Sequence, residues 1–178
     1  MKSKLFLLLL ILALPITGFA KDLTLTNAPT QVYFSPRGGC TEAIVEALDK
    51  AKSEVLVQAY SFTSRDIAKA LVDAHKRGVH VEVILDKSNR NHKGKYSAAD
   101  FTAHMGIPTF IDAEHAIAHN KVMIIDKDVV VTGSFNFTRA AEYNNAENLI
   151  IIQSKELAII YRDNWYVHQG HSSTYEGR

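Results

Sequence analysis

Hydrophobic and polar positions change their period repeatedly along this chain, switching between alternation and helical spacing. Thr30 to Phe34 reads as a short strand, followed by a Ser35-Pro36-Arg37-Gly38-Gly39 turn. Ala43, Ile44, Ala47, Leu48 and Ala51 recur at helical steps and predict an amphipathic helix over 41–53. Glu54 to Tyr60 (EVLVQAY) is apolar enough for a buried strand. Thr63-x-x-Asp66 has the form of a capping box, opening a helix with the stripe Ile67, Ala70, Leu71 and Ala74 that stops at Gly78. Val79 to Leu85 alternates as a strand. A short helix over 97–104 ends before Gly106, and strands are expected at 108–111, 119–125 and 128–132. The last two form a hairpin around Asp126-Lys127-Asp128. Glu147 to Ile152 is another strand, 155–168 a closing helix, and His171 to Arg178 a loose tail. Strands interleaved with helices predict an α/β fold: a mixed, partly parallel, largely buried sheet flanked by helices on both faces.

Residues 1–20 stand apart from that pattern. Lys2 and Lys4 precede the unbroken apolar run Leu5 to Leu14, Pro15 breaks it, and Gly18-Phe19-Ala20 offers small residues at a cleavage site. This is the layout of a secretory signal peptide, and the run is short for a membrane span. The expected organisation is therefore a signal peptide over 1–20 and one catalytic domain over 21–178. The expected destination is the periplasm, with the extracellular medium second, and no stable membrane association after cleavage.

Composition narrows the class further. The 178 residues are 47% hydrophobic and 22% charged, which fits one globular domain and excludes a disordered chain. A single cysteine, Cys40, excludes an internal disulfide and reads as a small buried residue. The formal charge of +1 gives no global sign of nucleic-acid binding, and losing Lys2 and Lys4 turns it to −1. Cationic character is local: 87–95 (KSNRNHKGK) carries Lys87, Arg90, Lys93 and Lys95, with His92. It reads either as a solvated flexible loop or as a segment that tracks a phosphate backbone.

The stretch HNKVMIIDKDVVVTGSFN, residues 119–136, concentrates the chemistry. On a strand His119 and Lys121 point the same way, and Ser134 and Asn136 can do so beyond the next strand. A hairpin brings both pairs together. An imidazole able to act as nucleophile or base, a fixed cation and two neutral donors suit a phosphate or an oxyanion. Phosphoryl transfer is mostly positioning and charge stabilisation, and this set supplies both without a metal.

The spacing His119-x-Lys121-x4-Asp126-x6-Gly133-Ser134-x-Asn136 matches the HxK(x)4D(x)6GSxN signature of the phospholipase D superfamily. The chain resembles in particular its short, single-motif bacterial members, the Nuc-type endonucleases, from about residue 30 to 168. That resemblance implies a phospholipase D-like half-unit, a covalent phosphohistidine on His119, and a homodimer in which one His119 attacks while the other protonates the leaving oxygen. Lys121 and Asn136 would hold phosphate oxygens with Ser134 assisting, and Glu147 would fix the tautomer of a motif histidine. Asp126 and Gly133 complete the motif as structural positions. The function implied is a secreted, metal-independent phosphodiesterase cleaving DNA, or RNA, with little sequence preference. The alternatives are phospholipase D-type hydrolysis of phospholipid head groups and a noncatalytic nucleic-acid-binding protein.

The remaining histidines and glycines have plainer readings. His115 and His119 form an H-x3-H pair, but Gly106, Pro108 and the β-rich run argue against a helix there, so no metal site and no cofactor are expected. His75, His80, His92, His104, His168 and His171 read as scattered residues without partner spacing. Gly38-Gly39 reads as a helix-start turn rather than an anion site.

Overall fold

A computed structural model describes Gly18, residues 20–90 and residues 97–178. Apart from Gly18 and Ala20, the expected signal peptide lies outside the described residues, as do His92, Lys93 and Lys95. The elements run β1 (Thr30–Ser35), α1 (Cys40–Asp49), β2 (Glu54–Ala59), α2 (Arg65–Lys76), β3 (His80–Asp86) and a 3-10 turn (Lys87–Arg90). They continue through α3 (Ala98–His104), β4 (Thr109–Asp112), β5 (Lys121–Ile125), β6 (Val129–Gly133), α4 (Arg139–Tyr143), β7 (Glu147–Gln153), α5 (Lys155–His171) and β8 (Ser173–Thr174).

The strands form one sheet in the order β1-β7-β6-β5-β2-β3-β4-β8. β2, β3 and β4 are parallel, and the other pairings are antiparallel. Alternation within β2 shows how both faces are used. Val55 and Val57 join a core with Ile44 and Leu48 of α1, Ile67 and Leu71 of α2 and Ala141 of α4. Leu56 faces the other way, into a smaller core with Ala158 and Trp165 of α5. The Trp165 indole N–H donates to the Val57 carbonyl at 2.9 Å, so the ring is both buried and satisfied. The mixed sheet with helices on both faces is thus the one the periodicity predicts.

Several boundaries differ from the sequence reading, each for a local reason. α1 stops at Asp49 rather than 53, because Asp126 draws the following segment away. Its carboxylate accepts the backbone N–H of Lys52, Ser53 and Glu54 and the Ser53 hydroxyl, at 2.7–3.1 Å. The cap of α2 is Ser64, not Thr63: the Ile67 N–H donates to Ser64 Oγ, while the N–H groups of Thr63 and Ser64 are taken by the Phe137 carbonyl. β5 starts at Lys121, leaving His119 in the preceding loop. α4, which periodicity over 41–168 did not reveal, carries the buried Glu142. Its carboxylate accepts the N–H groups of Gly39 and Thr41 at 3.1 and 2.7 Å, so the Gly38-Gly39 turn at the start of α1 serves an internal anion.

Nor is the C-terminal tail loose. α5 runs through His171, Ser173–Thr174 pair with β4, and the Tyr175 N–H donates to the Thr109 carbonyl at 2.7 Å. Tyr175 and Arg178 both engage Asp100. The segment 87–90 is likewise ordered. Asn89 is buried and donates to the carbonyls of Tyr60 and Asp86, so the picture of a flexible loop fails for this half of 87–95.

Asp126 also opens the β5–β6 hairpin. Asp126 and Lys127 have φ of 54° and 59°, and the Asp128 N–H closes the turn on the Ile125 carbonyl at 3.1 Å. Burial would raise the Asp126 carboxyl, but the hydrogen bonds from Ser53, Glu54 and Lys52 outweigh it and hold the group below its ordinary value. Its stabilising contribution is therefore present above the ordinary Asp range and lost as pH falls through the lowered native value. Replacing Asp126 by Ala is expected to cost about 2–3 kcal/mol at pH 7. In urea titrations the gap to wild type should narrow below about pH 4, as the native carboxylate is itself protonated.

Candidate active site

One edge of the sheet collects the motif residues. It is the edge where the parallel strands β2, β3 and β4 end, the usual place for chemistry in sheets of this kind. β5 begins there at Lys121, opposite Ala59, β6 ends there at Gly133, and β7 begins there at Glu147, opposite Ser35.

His119 is exposed, and its placement is set by its neighbours. The Ala118 N–H donates to Asp86 Oδ2 at 2.8 Å, and the Tyr60 N–H donates to the Asn120 carbonyl at 2.8 Å. The imidazole lies 4.5 Å from the Tyr60 ring, centroid to centroid, tilted by 49°. Lys121 Nζ sits 5.0 Å from the centre of the same ring and donates to the His119 carbonyl at 2.7 Å. His119 and Lys121 thus converge through Tyr60 and a hydrogen bond rather than through strand alternation. Tyr60 and Asp86 were missed in the sequence. Their signal is position: each closes a buried strand on the chemical edge.

Lys121 is only 6% exposed, which is unusual for an ammonium. Burial pulls its pKa below the ordinary lysine value, and the negative charge of Glu147 pulls back the other way. Glu147 is itself held: Ser134 Oγ donates to its Oε2 at 2.6 Å and Asn145 Nδ2 donates to its Oε1 at 3.1 Å. Ser134 Oγ also accepts the Asn148 N–H at 3.1 Å. In this chain Ser134 therefore serves Glu147, and the hydrogen bonds of Glu147 run to Ser134 and Asn145. Asn136 Oδ1 is buried and has no hydrogen-bond partner among the described residues.

Gly133 explains why the motif demands a glycine. Its φ is 143°, and a Cβ there would stand 2.3 Å from the Asn148 carbonyl oxygen. Without a side chain β6 closes on β7, so the Asn148 carbonyl accepts from both Ser134 and Phe135 N–H, at 3.1 and 3.2 Å. Phe135 and Phe137 are fully buried, and Ser134 and Asn136 alternate with them toward the edge.

Of the other candidates, Lys87 Nζ donates to the His115 carbonyl at 2.8 Å and Arg90 to Ser173 Oγ at 2.5 Å, so both are engaged internally. Burial, with the Glu142 carboxylate adding to it, pushes the Cys40 thiol up to about 11, which makes it a poor nucleophile. His115 and His119 do not form a pair. His115 instead meets His168, His171 and Asp112, so these histidines are clustered rather than scattered. A cleft lined by Thr30, Glu46, Lys50, Asp126 and Gln153 lies at the opposite sheet edge.

An exposed imidazole and a buried ammonium gathered at one Tyr60 ring, on an edge rich in donors, suit phosphoryl transfer. Comparison with known proteins agrees. Residues 44–165 match the family described as "Cardiolipin synthase, PLD-like domain". A phospholipase D from Rickettsia conorii is 45% identical over 141 residues, 79% of this chain and 70% of that protein. The mitochondrial cardiolipin hydrolase of Mus musculus is 30% identical over 155 residues, 80% of this chain and 69% of that protein. The crystal structure of Nuc, a phospholipase D family member from Salmonella typhimurium, superposes with a TM-score of 0.79 at 40% identity, covering 84% of this chain and 99% of that one. The chain belongs to the phospholipase D superfamily and is a phosphodiesterase of that group.

Gly133→Ala tests the close approach of β6 and β7. The added methyl must separate the strands, and the loss should be about 3 kcal/mol or more by denaturant titration. Thr132→Ala, one residue earlier, should stay within about 1 kcal/mol of wild type.

Proposed function

We propose that the protein is an exported, metal-independent nuclease, hydrolysing DNA, or RNA, with little sequence preference at a site completed by a second copy of the chain. The observation that carries this reading is the exposed His119 set beside the buried Lys121, with one histidine available where the reaction needs two. His119 would attack phosphorus, forming a P–N bond as the bond to the leaving oxygen breaks, and His119 of the partner subunit would supply that oxygen's proton. Water then attacks phosphorus, the P–N bond breaks, and the second histidine takes the water's proton. Lys121 and Asn136 would hold phosphate oxygens, with Ser134 and Glu147 fixing the surroundings. Asn136 would do so through its Nδ2 N–H groups, since its amide oxygen can only accept. The exposed Val32 and Phe34 on edge strand β1 and the exposed Ile117 beside the site offer apolar surface for a twofold contact.

The likeness to Nuc, over nearly the whole of that chain, supports nucleic acid as substrate. The relatives named phospholipase D and cardiolipin hydrolase make phospholipid the competing outcome. Among the described residues no helix is long and apolar enough to cross a membrane. With Lys87 and Arg90 engaged, contact with a phosphate backbone would fall to Lys93 and Lys95. Export would follow from residues 1–20, with cleavage after Ala20.

Plasmid nicking and head-group release from phosphatidylcholine and cardiolipin vesicles, both in excess EDTA, test the reaction together. Nicking by wild type and its loss by at least about a thousandfold in His119→Ala are expected. Release from lipid alone would overturn the substrate, and full activity of His119→Ala would overturn the site. Co-refolding wild type with increasing His119→Ala should lower activity as the square of the wild-type fraction, whereas independent sites give a straight line. The exported protein should begin at Lys21 and have the native mass of a dimer.

Lys121 sets an alkaline limit. As pH rises through its lowered pKa the ammonium is lost, so turnover should fall at a pH below the ordinary lysine range. Lys121→Arg, which keeps its charge, should lower turnover throughout but remove that limb from the pH profile.

A further inference from the structure

At the carboxyl end of β4, on the same sheet edge as the motif but separated from β5 by β2 and β3, four side chains meet that the proposed reaction does not use. They are Asp112, His115, His168 and His171, and their ligand atoms all lie within 4.8 Å of one another. Asp112 is fully buried. His168 and His171 lie three residues apart in α5, on one helix face. His115 belongs to the loop leading to His119.

The geometry around Asp112 is unusual for plain hydrogen bonding. Its Oδ1 accepts the Glu114 N–H at 3.1 Å. Its Oδ2 faces three imidazole nitrogens: His168 Nδ1 at 2.8 Å, His115 Nδ1 at 3.1 Å and His171 Nε2 at 3.3 Å. His171 Nε2 is buried and, among the described residues, finds no partner in hydrogen-bond geometry, its Asp112 contact being an ion-pair distance only. One carboxylate can balance one imidazolium, so three protonated rings would leave two uncompensated charges in a half-buried site. Three neutral rings could share the two carboxylate oxygens, and His115 Nδ1 also lies 3.1 Å from Oδ1, but the His171 nitrogen at 3.3 Å does not meet hydrogen-bond geometry. The rings do not stack either, with centroids 4.9–5.3 Å apart and planes tilted by 37–67°.

A divalent cation would engage all three nitrogens together with the carboxylate and balance its charge. Two ligands of a tetrahedral zinc, each about 2.0–2.1 Å from the metal, stand about 3.3–3.4 Å apart. The three Asp112–histidine spacings are 2.8–3.3 Å, and all four ligand atoms lie within 4.8 Å of one another, so modest side-chain adjustment would close the set on an ion. Three imidazole nitrogens and one carboxylate oxygen form a borderline donor set that suits zinc rather than calcium or magnesium. We propose that Asp112, His115, His168 and His171 bind one structural Zn²⁺, which clamps the C-terminal end of α5 and the loop carrying His119 to the end of β4. The ion stabilises and positions, and it takes no part in the phosphoryl transfer. The inference stands whether the substrate is nucleic acid or lipid.

The test uses the purified full chain, stripped with a chelator, dialysed and titrated with zinc sulfate. Elemental analysis should find one zinc per chain, and Tm should rise by about 8 °C or more at a thousandfold excess over Kd. Co²⁺ in place of zinc should give the intense visible bands of a tetrahedral site. His171→Ala is the decisive variant. Its nitrogen has only the long 3.3 Å contact with Asp112, so the metal-free Tm should stay within about 4 °C of wild type while zinc affinity falls at least about a hundredfold. Asp112→Asn should lose the cobalt bands. No zinc uptake and no Tm change in wild type would overturn the proposal, as would undiminished zinc affinity in His171→Ala. Since these readouts are metal content, Tm and absorbance, they fail or succeed independently of any activity assay.

Discussion

The Gly-Ser-Phe-Asn-Phe run at the end of β6 decides where everything else in the site can be. Phe135 and Phe137 are fully buried, and truncating such a ring costs about 3–5 kcal/mol. With both rings inside, alternation leaves Ser134 and Asn136 no direction but the sheet edge. The bare Cα of Gly133 lets the chain press against Asn148, whose carbonyl holds two successive N–H groups. The Phe137 carbonyl then holds Thr63 and Ser64, just beyond the β2 strand end that presents Tyr60. The polar groups are fixed by the apolar ones between them.

That rigidity offsets an electrostatic cost. Lys121 is buried next to an aromatic face, and burial disfavours its charged form. Glu147 supports the charge from the neighbouring strand region, and Ser134 and Asn145 hold Glu147 in turn. A chain selected for stability alone would place an apolar residue at 121. Keeping an ammonium there makes sense for a group that meets developing negative charge in a low-dielectric place without first reorganising.

Much of this was legible in the sequence because it rests on local rules. Alternation in EVLVQAY and ENLIII, the helical stripe from Ile67 to Ala74 and the positive-φ hairpin at Asp126-Lys127 each follow from a few consecutive residues. The motif spacing is equally local, and it located the strand ends that carry the chemistry. What was missed depends on contacts distant in sequence. Asp126 reaches back to Lys52 and shortens α1. Glu142 fills the turn at Gly39, and Tyr60 finds His119 only once β2 and β5 pair. The histidine cluster was hidden by a boundary error. Ending the last helix at His168 removed His171 from the helical face on which the two are three residues apart. Asp112-x-x-His115 carries no recognisable signal until the tail folds back beside β4.

The two histidine sites are connected by one short loop. Residues 113–120 carry the proposed nucleophile, yet none of them belongs to a strand or helix. A loop of that kind would ordinarily sample many conformations, and the proposed reaction, with a histidine from each of two subunits, would tolerate little of that, since positional error in one half would be repeated in the other. Here the loop is fixed by Asp86 at Ala118, by Lys87 and Asp112 at His115 and by Tyr60 at Asn120. His168 and His171 bring the end of α5 into the same arrangement. The C-terminal segment, far from the motif in sequence, is therefore part of the scaffold that aims His119, and a cation among its histidines would fasten that scaffold while leaving the phosphorus chemistry to the imidazole.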